Sequence, residues 1–91
     1  MILPESLIKR NPAIIMGKVD QEYVMLSVEN SEYYGLDEIG SRIWDCIEVP
    51  ITLDQLVVTL QKEYDVEYDI CLDDTREFLN KMIQRSMIII D

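Results

Sequence analysis

The chain contains no histidine. That absence removes the commonest general base and every Ser-His or Cys-His arrangement for nucleophilic attack, so the chain reads as a binding protein and not as an enzyme. Its two cysteines, Cys46 and Cys71, lack a Cys-x-x-Cys spacing, and without histidine they make no zinc site. Both sit among apolar neighbours and read as reduced thiols in or near a core. Long apolar runs are absent as well: the stretch Met87 to Ile90 falls far short of the ~20 residues that cross a bilayer. The start, MILPESLIKR, lacks the basic-then-apolar order of a signal peptide. A cytoplasmic location with no membrane partner is expected. Positive charge is scarce too, with 8 basic residues against 18 acidic ones and a formal net charge of −10. Such a surface repels phosphate backbones and anionic lipid, so a basic peptide is expected as partner before nucleic acid.

What is present suffices for one core. Of 91 residues 48% are hydrophobic, and a chain of this length closes a single domain with too little apolar surface for a second. No repeat or low-complexity tract interrupts it. The segment up to Asn11-Pro12 and the last residue are the parts expected to be loosely ordered.

Three short antiparallel strands are predicted: AIIMGKV from Ala13, YVMLSVE from Tyr23 and EYYGL from Glu32, separated by Asp20-Gln21-Glu22 and Asn30-Ser31. In the second strand Val24, Leu26 and Val28 share one face, the natural core face, and Tyr23, Met25 and Ser27 share the other. Tyr33 and Tyr34 must point to opposite sides. Which of them enters the core depends on a register that the Asn-Ser turn, lacking glycine, specifies weakly.

After Leu36 the apolar period changes from two to about 3.6 and three helices follow. Asp37 caps the first, which carries Ile39, Ile43, Trp44 and Ile47 and stops near Pro50. Thr52 with Gln55 forms a capping-box pattern for the second, whose stripe is Leu53, Leu56, Val57, Leu60 and Tyr64. Trp44 and Tyr64 read as core aromatics. Asp69 is the predicted cap of the third, with Leu72, Thr75, Leu79, Met82 and Ile83 on one face and Cys71, Phe78 and Arg76 at its edges. This helix ends around Ser86, and MIII adds a short closing strand. The fold class is α+β: a three-stranded antiparallel sheet followed by three helices packed on one face.

Three functional patterns fail on inspection. Asp65, Glu67 and Asp69 alternate as in an EF-hand loop, but Ile70 stands where the sharp turn needs glycine and Arg76 where the bidentate glutamate belongs. A winged helix-turn-helix outline calls for a basic recognition helix, whereas the third helix holds Asp73, Asp74 and Glu77 beside Arg76, Lys81 and Arg85. An acyl or peptidyl carrier needs its serine at a helix start, which neither Glu5-Ser6-Leu7 nor Ser41 provides.

A set of elements in fixed order is more specific. Leu36-Asp37 is followed by Gly40 and Ile43-Trp44, then by Thr52 with Leu56, Glu63-Tyr64-Asp65-Val66, and Phe78-Leu79 with Met82. From about Ile14 to Ile90 the chain resembles the PqqD-like family of RiPP recognition elements, small domains that bind leader peptides of ribosomally made, modified natural products. The GKVDQEYVMLSVE start and the small size look most like the stand-alone leader-binding proteins of lasso-peptide pathways. Ser86 departs from the pattern, since a glycine often ends the third helix.

The resemblance implies a non-catalytic adaptor without cofactor or metal. Its third strand is an exposed edge, and the leader adds antiparallel to it in the groove beside the third helix, a case of β-augmentation. Carried over by position, Glu32, Tyr33, Tyr34, Gly35 and Leu36 form the backbone template, and Cys71, Leu72, Thr75, Phe78 and Met82 supply the groove wall. The implied partners are a basic precursor leader, a leader peptidase and an ATP-dependent macrolactam cyclase. A PqqD-type peptide chaperone of another RiPP pathway and a winged-helix transcriptional regulator are the alternatives.

Overall fold

The computed structural model describes residues 2–28 and 31–91. In chain order these form β1 (Leu7–Arg10), β2 (Ile14–Val19), β3 (Glu22–Ser27), β4 (Glu32–Gly35), α1 (Glu38–Cys46), β5 (Ile51–Thr52), α2 (Leu53–Tyr64), α3 (Tyr68–Gln84) and β6 (Ile88–Ile90). The strands make two antiparallel sheets, ordered β2-β3-β4 and β5-β1-β6. The first is the predicted meander, and the strand-then-helix order is the predicted α+β class.

The second sheet corrects the expectation of a loose N-terminus. Ile8 pairs with both Ile51 and Ile90 and is fully buried, and Ile2 is also buried. Its strand partners come from distant parts of the chain, and Lys9-Arg10 hides its alternation, so local pattern carries no sign of it. Arg10 then links this sheet to α1. Its Nε and Nη2 donate to the Trp44 carbonyl at 3.1 and 2.5 Å, and its guanidinium lies 4.6 Å from the Trp44 ring.

In the meander, Asp20 (φ 52°) and Gln21 (φ 73°) both adopt the left-handed region, as a two-residue hairpin turn requires. Glu29 and Asn30, at the end of the predicted second strand and in the predicted Asn-Ser turn, lie outside the described residues. The core face of β3 is the reverse of the one expected: Met25 is fully buried and Ser27 nearly so, whereas Val28 is 60% exposed. Alternation marks two faces without saying which is inside, and here both are apolar. Docking of α1 decides the matter, because the Tyr23 backbone N–H donates to Ser41 Oγ at 3.0 Å and the Tyr23 hydroxyl donates to Asp45 at 2.5 Å. The outer face keeps Ile15, Val24, Leu26 and Tyr33 in a shallow apolar depression.

Helix starts follow the sequence closely. Asp37 Oδ1 accepts the Gly40 N–H at 2.7 Å, and Thr52 with Gln55 closes a reciprocal capping box at 3.2 Å in both directions. The third helix instead begins before the predicted Asp69 cap, with Glu67 as an N-cap that makes no side-chain capping bond. Its far end is a Schellman turn: Ser86 N–H donates to the Ile83 carbonyl at 3.0 Å and Met87 N–H to the Met82 carbonyl at 2.9 Å, with Ser86 at φ 57°. That turn sends Met87 into the core and β6 onto β1.

The core gathers Ile43, Trp44 and Ile47 of the first helical segment, Leu53, Leu56, Val57 and Leu60 of α2, and Leu79 and Met82 of α3. Each such side chain contributes roughly 1.5–3 kcal/mol when fully buried. Three residues of the predicted stripes leave it: Ile39 is 51% exposed, and Tyr64 and Ile83 are each 39% exposed. For Ile39 and Tyr64 the reason lies in the site.

Candidate peptide-binding edge and cavity

The strand β4 is an edge: it pairs with β3 on one side and has no strand on the other among the described residues. Its hydrogen-bond phase follows from one bond. Leu36 N–H donates to the Tyr23 carbonyl at 2.9 Å, and bonded and non-bonded pairs alternate along an antiparallel ladder. Tyr34 therefore bonds Met25 and Glu32 bonds Ser27, while Tyr33 and Gly35 sit in the non-bonded pairs opposite Leu26 and Val24. The N–H and C=O groups of Tyr33 and Gly35 point to the open side.

Ser41 holds this edge in place. Its hydroxyl accepts from Tyr23 N–H and donates to the Leu36 carbonyl at 3.3 Å, standing in for the second bond that this end of the ladder lacks. A cap-proximal serine of α1 thus fixes where β4 ends.

The two tyrosines divide as their alternation requires. Tyr33 lies on the outer face, 73% exposed. Tyr34 lies on the helix side, half-buried against the core, with the Arg85 guanidinium of the α3 C-cap 4.4 Å from its ring centroid. Its hydroxyl donates to Glu32 Oε2 at 2.6 Å, and this bond to a carboxylate holds the phenol above its usual range. The tyrosine facing the third helix is therefore Tyr34.

Beyond β4, where the chain enters α1, a cavity of about 330 Å³ opens between the three helices. Three of the expected groove residues, Cys71, Thr75 and Phe78, line it together with Leu60 and Ile43. Phe78 packs on Gly40 so closely that a Cβ there would stand 2.9 Å from its ring. Ile39 and Tyr64 stay partly exposed because they form the walls of this opening, and Asp37 and Asp74 border it with carboxylates.

Of the other residues expected at the site, Glu32 and Gly35 are exposed on the edge, and Leu72 is half-buried outside the cavity lining. Leu36 and Met82 are core residues at 6% and 1% exposure, and Cys71 is buried at 6% with its Sγ 3.8 Å from the Val57 carbonyl. Sequence reasoning missed the contribution of α1 and α2 to the cavity. Gly40, a glycine inside a capped amphipathic helix, was the available sign of a close approach.

An open strand edge set beside a helix and a cavity defines a scaffold suited to taking up an extended peptide. A family model described as coenzyme PQQ synthesis protein D (PqqD) matches residues 22–88, and the chain belongs to that family. No curated protein matches it. Among solved structures it is similar to TbiB1 in complex with the TbiA(beta) leader peptide, at 30% identity and a TM-score of 0.82, over 88% of this chain and 93% of that one. It also shares the fold of a lasso peptide synthetase B1 complexed with the leader peptide, at 20% identity and a TM-score of 0.80, over 90% of this chain and 96% of that one. By family and fold the chain is a PqqD-like RiPP recognition element.

Proposed function

We propose that the chain is a non-catalytic adaptor for lasso-peptide biosynthesis. It binds the leader of a ribosomal precursor peptide by strand addition at β4, beside α3, and delivers it to a leader peptidase and a macrolactam cyclase. The observation that carries this reading is the free edge at Tyr33 and Gly35, which offers an incoming strand alternating donors and acceptors. The likeness to TbiB1, solved with a leader peptide, supports the same choice of ligand. An open edge invites aggregation unless managed, and here its length of four residues, with Glu32 at its start, limits that hazard. Delivery needs no chemistry from the adaptor, because holding the leader raises the local concentration of the rest of the precursor near an enzyme bound to the same complex.

Titration of the protein with a synthetic lasso-precursor leader tests the binding step, read by amide hydrogen exchange. Saturable binding with new protection at the Tyr33 and Gly35 amides is expected. Absence of saturable binding overturns the proposal, and saturable binding of duplex DNA in its place would favour the regulator alternative. For delivery, the adaptor should accelerate precursor cleavage by the leader peptidase and leave cleavage of a leaderless substrate unchanged.

A further inference from the structure

The charges around the site are ordered. At the Gly35 end of the strand, Asp37 and Asp74 border the helical cavity, and Asp74 has no ion-pair partner among the described residues. Asp37 spends one oxygen on the Gly40 N–H. Midway along α3, Glu77 and Lys81 pair with each other at 3.6 Å and cancel locally. At the other end stands Arg85, over the Tyr34 ring and without an ion pair among the described residues, while the nearby Glu32 accepts the Tyr34 hydroxyl. Two carboxylates without a cationic partner among the described residues thus border the Gly35 end, whereas at the other end a guanidinium accompanies the Glu32 carboxylate, and the apolar cavity lies at the negative end only.

We propose that this cavity is a subsite for a lysine or arginine side chain of the bound peptide, and that Arg85 sets the peptide's direction by disfavouring a basic residue at the opposite end. The inference rests on the strand-addition reading above. A strand running antiparallel to β4 places its N-terminal part beside Gly35 and Asp37 and its C-terminal part beside Glu32, toward which the Tyr34 hydroxyl and the Arg85 over its ring are directed. A long basic side chain suits the cavity in both halves: its methylene stem packs on Phe78 and Ile39, and its cationic head reaches the Asp37 and Asp74 carboxylates. A neutral apolar side chain would fill the space and leave the carboxylates unused. An acidic one would be repelled. The net charge of −10 attracts basic peptides in general, whereas this arrangement specifies where along the strand the base falls.

A phage-displayed library of random 14-residue peptides, selected on the immobilised protein, is the test. Selected peptides should share a Lys or Arg toward the N-terminal end of their common segment and no base toward its C-terminal end. Norleucine in place of that lysine, in a synthetic consensus peptide, should weaken binding roughly tenfold. Asp74→Asn, unfolding thermally like the parent, should remove most of that difference, and Arg85→Glu, which also loses the Tyr34 contact and is compared below its own Tm, should relax the exclusion of base at the far end. Selected peptides with no charge order, or a norleucine peptide that binds equally well, would overturn this inference and leave strand addition standing. If the library yields no binder, strand addition itself falls and the subsite with it.

Discussion

The guanidinium of Arg85 lies 4.4 Å from the ring centroid of Tyr34, joining the end of α3 to the edge strand β4. The register to β3 puts the Tyr34 side chain on the helix side, where this contact packs it, while the neighbouring Tyr33 and Gly35 turn their backbone groups outward. Adjacent positions therefore do different work: Tyr34 anchors the strand to the body, and Tyr33 and Gly35 present it.

That division predicts opposite outcomes for two proline substitutions. Tyr33→Pro removes an outward N–H from an edge strand, where proline is tolerated, and should lower leader affinity about tenfold with little change in circular dichroism or Tm. Tyr34→Pro instead removes a bond to β3 and leaves the buried Met25 carbonyl unpaired, at a cost of about 1–3 kcal/mol in chemical unfolding. Equal stability of the two variants would show that the hydrogen-bond phase is wrong.

Gly40→Ala separates packing from binding. Alanine normally gains up to about 1 kcal/mol over glycine inside a helix. Here the new Cβ would meet Phe78 at 2.9 Å and push its ring toward the cavity. The expected result is a Tm near that of the parent and weaker leader binding by titration. A clear gain in Tm with unchanged binding would mean that the ring and the cavity are unconnected.

Ser86→Gly should stabilise the protein. Ser86 occupies the left-handed position of the Schellman turn at φ 57°, where a side chain costs about 1 kcal/mol that glycine avoids. Urea unfolding should show a gain of that order with an unchanged m-value, since the Asn11 bond to the residue-86 carbonyl is common to both variants; no gain would show that the left-handed conformation carries no measurable cost for serine here.

Acid sensitivity should depend on Glu63. Its carboxylate accepts from Arg42 at 2.6 to 3.1 Å, joining α1 to α2, and that bond holds its pKa below the usual carboxylate value. A lowered folded-state pKa contributes stability above the unfolded value, near pH 4.3, and the contribution disappears as pH falls through the folded value. Glu63→Gln should therefore be less stable than the parent at pH 7, with a deficit that shrinks as the pH falls below about 4.3, by urea unfolding at pH 7 and pH 3. The pair is solvent-exposed, so the effect is small. An equal deficit at both pH values would contradict the ion-pair account.

Most of the helical half was legible because its signals are local. Asp37, Thr52 and Gln55 cap within one turn of themselves, and the stripe Leu53, Leu56, Val57 and Leu60 needs only the helical period to be recognised. The edge strand EYYGL was likewise legible, and Thr75 and Phe78, expected through the resemblance as a groove wall, line the cavity between the helices.

The sequence by itself determined the three-strand meander, the three helices and the closing strand, the absence of histidine chemistry and the acidic charge balance, since composition and period reside in the chain. Only the tertiary structure decided which face of β3 lies inside, because Tyr23, Met25 and Ser27 alternate as well as Val24, Leu26 and Val28 do, and α1 had to dock before either face was buried. Only tertiary structure decided that Ile8 belongs to a strand, since its partners Ile51 and Ile90 come from the middle and the end of the chain. The direction of each tyrosine was settled in the same way: a one-residue shift in register exchanges the faces of Tyr33 and Tyr34, and long-range pairing to Leu26 and Met25 selects between them.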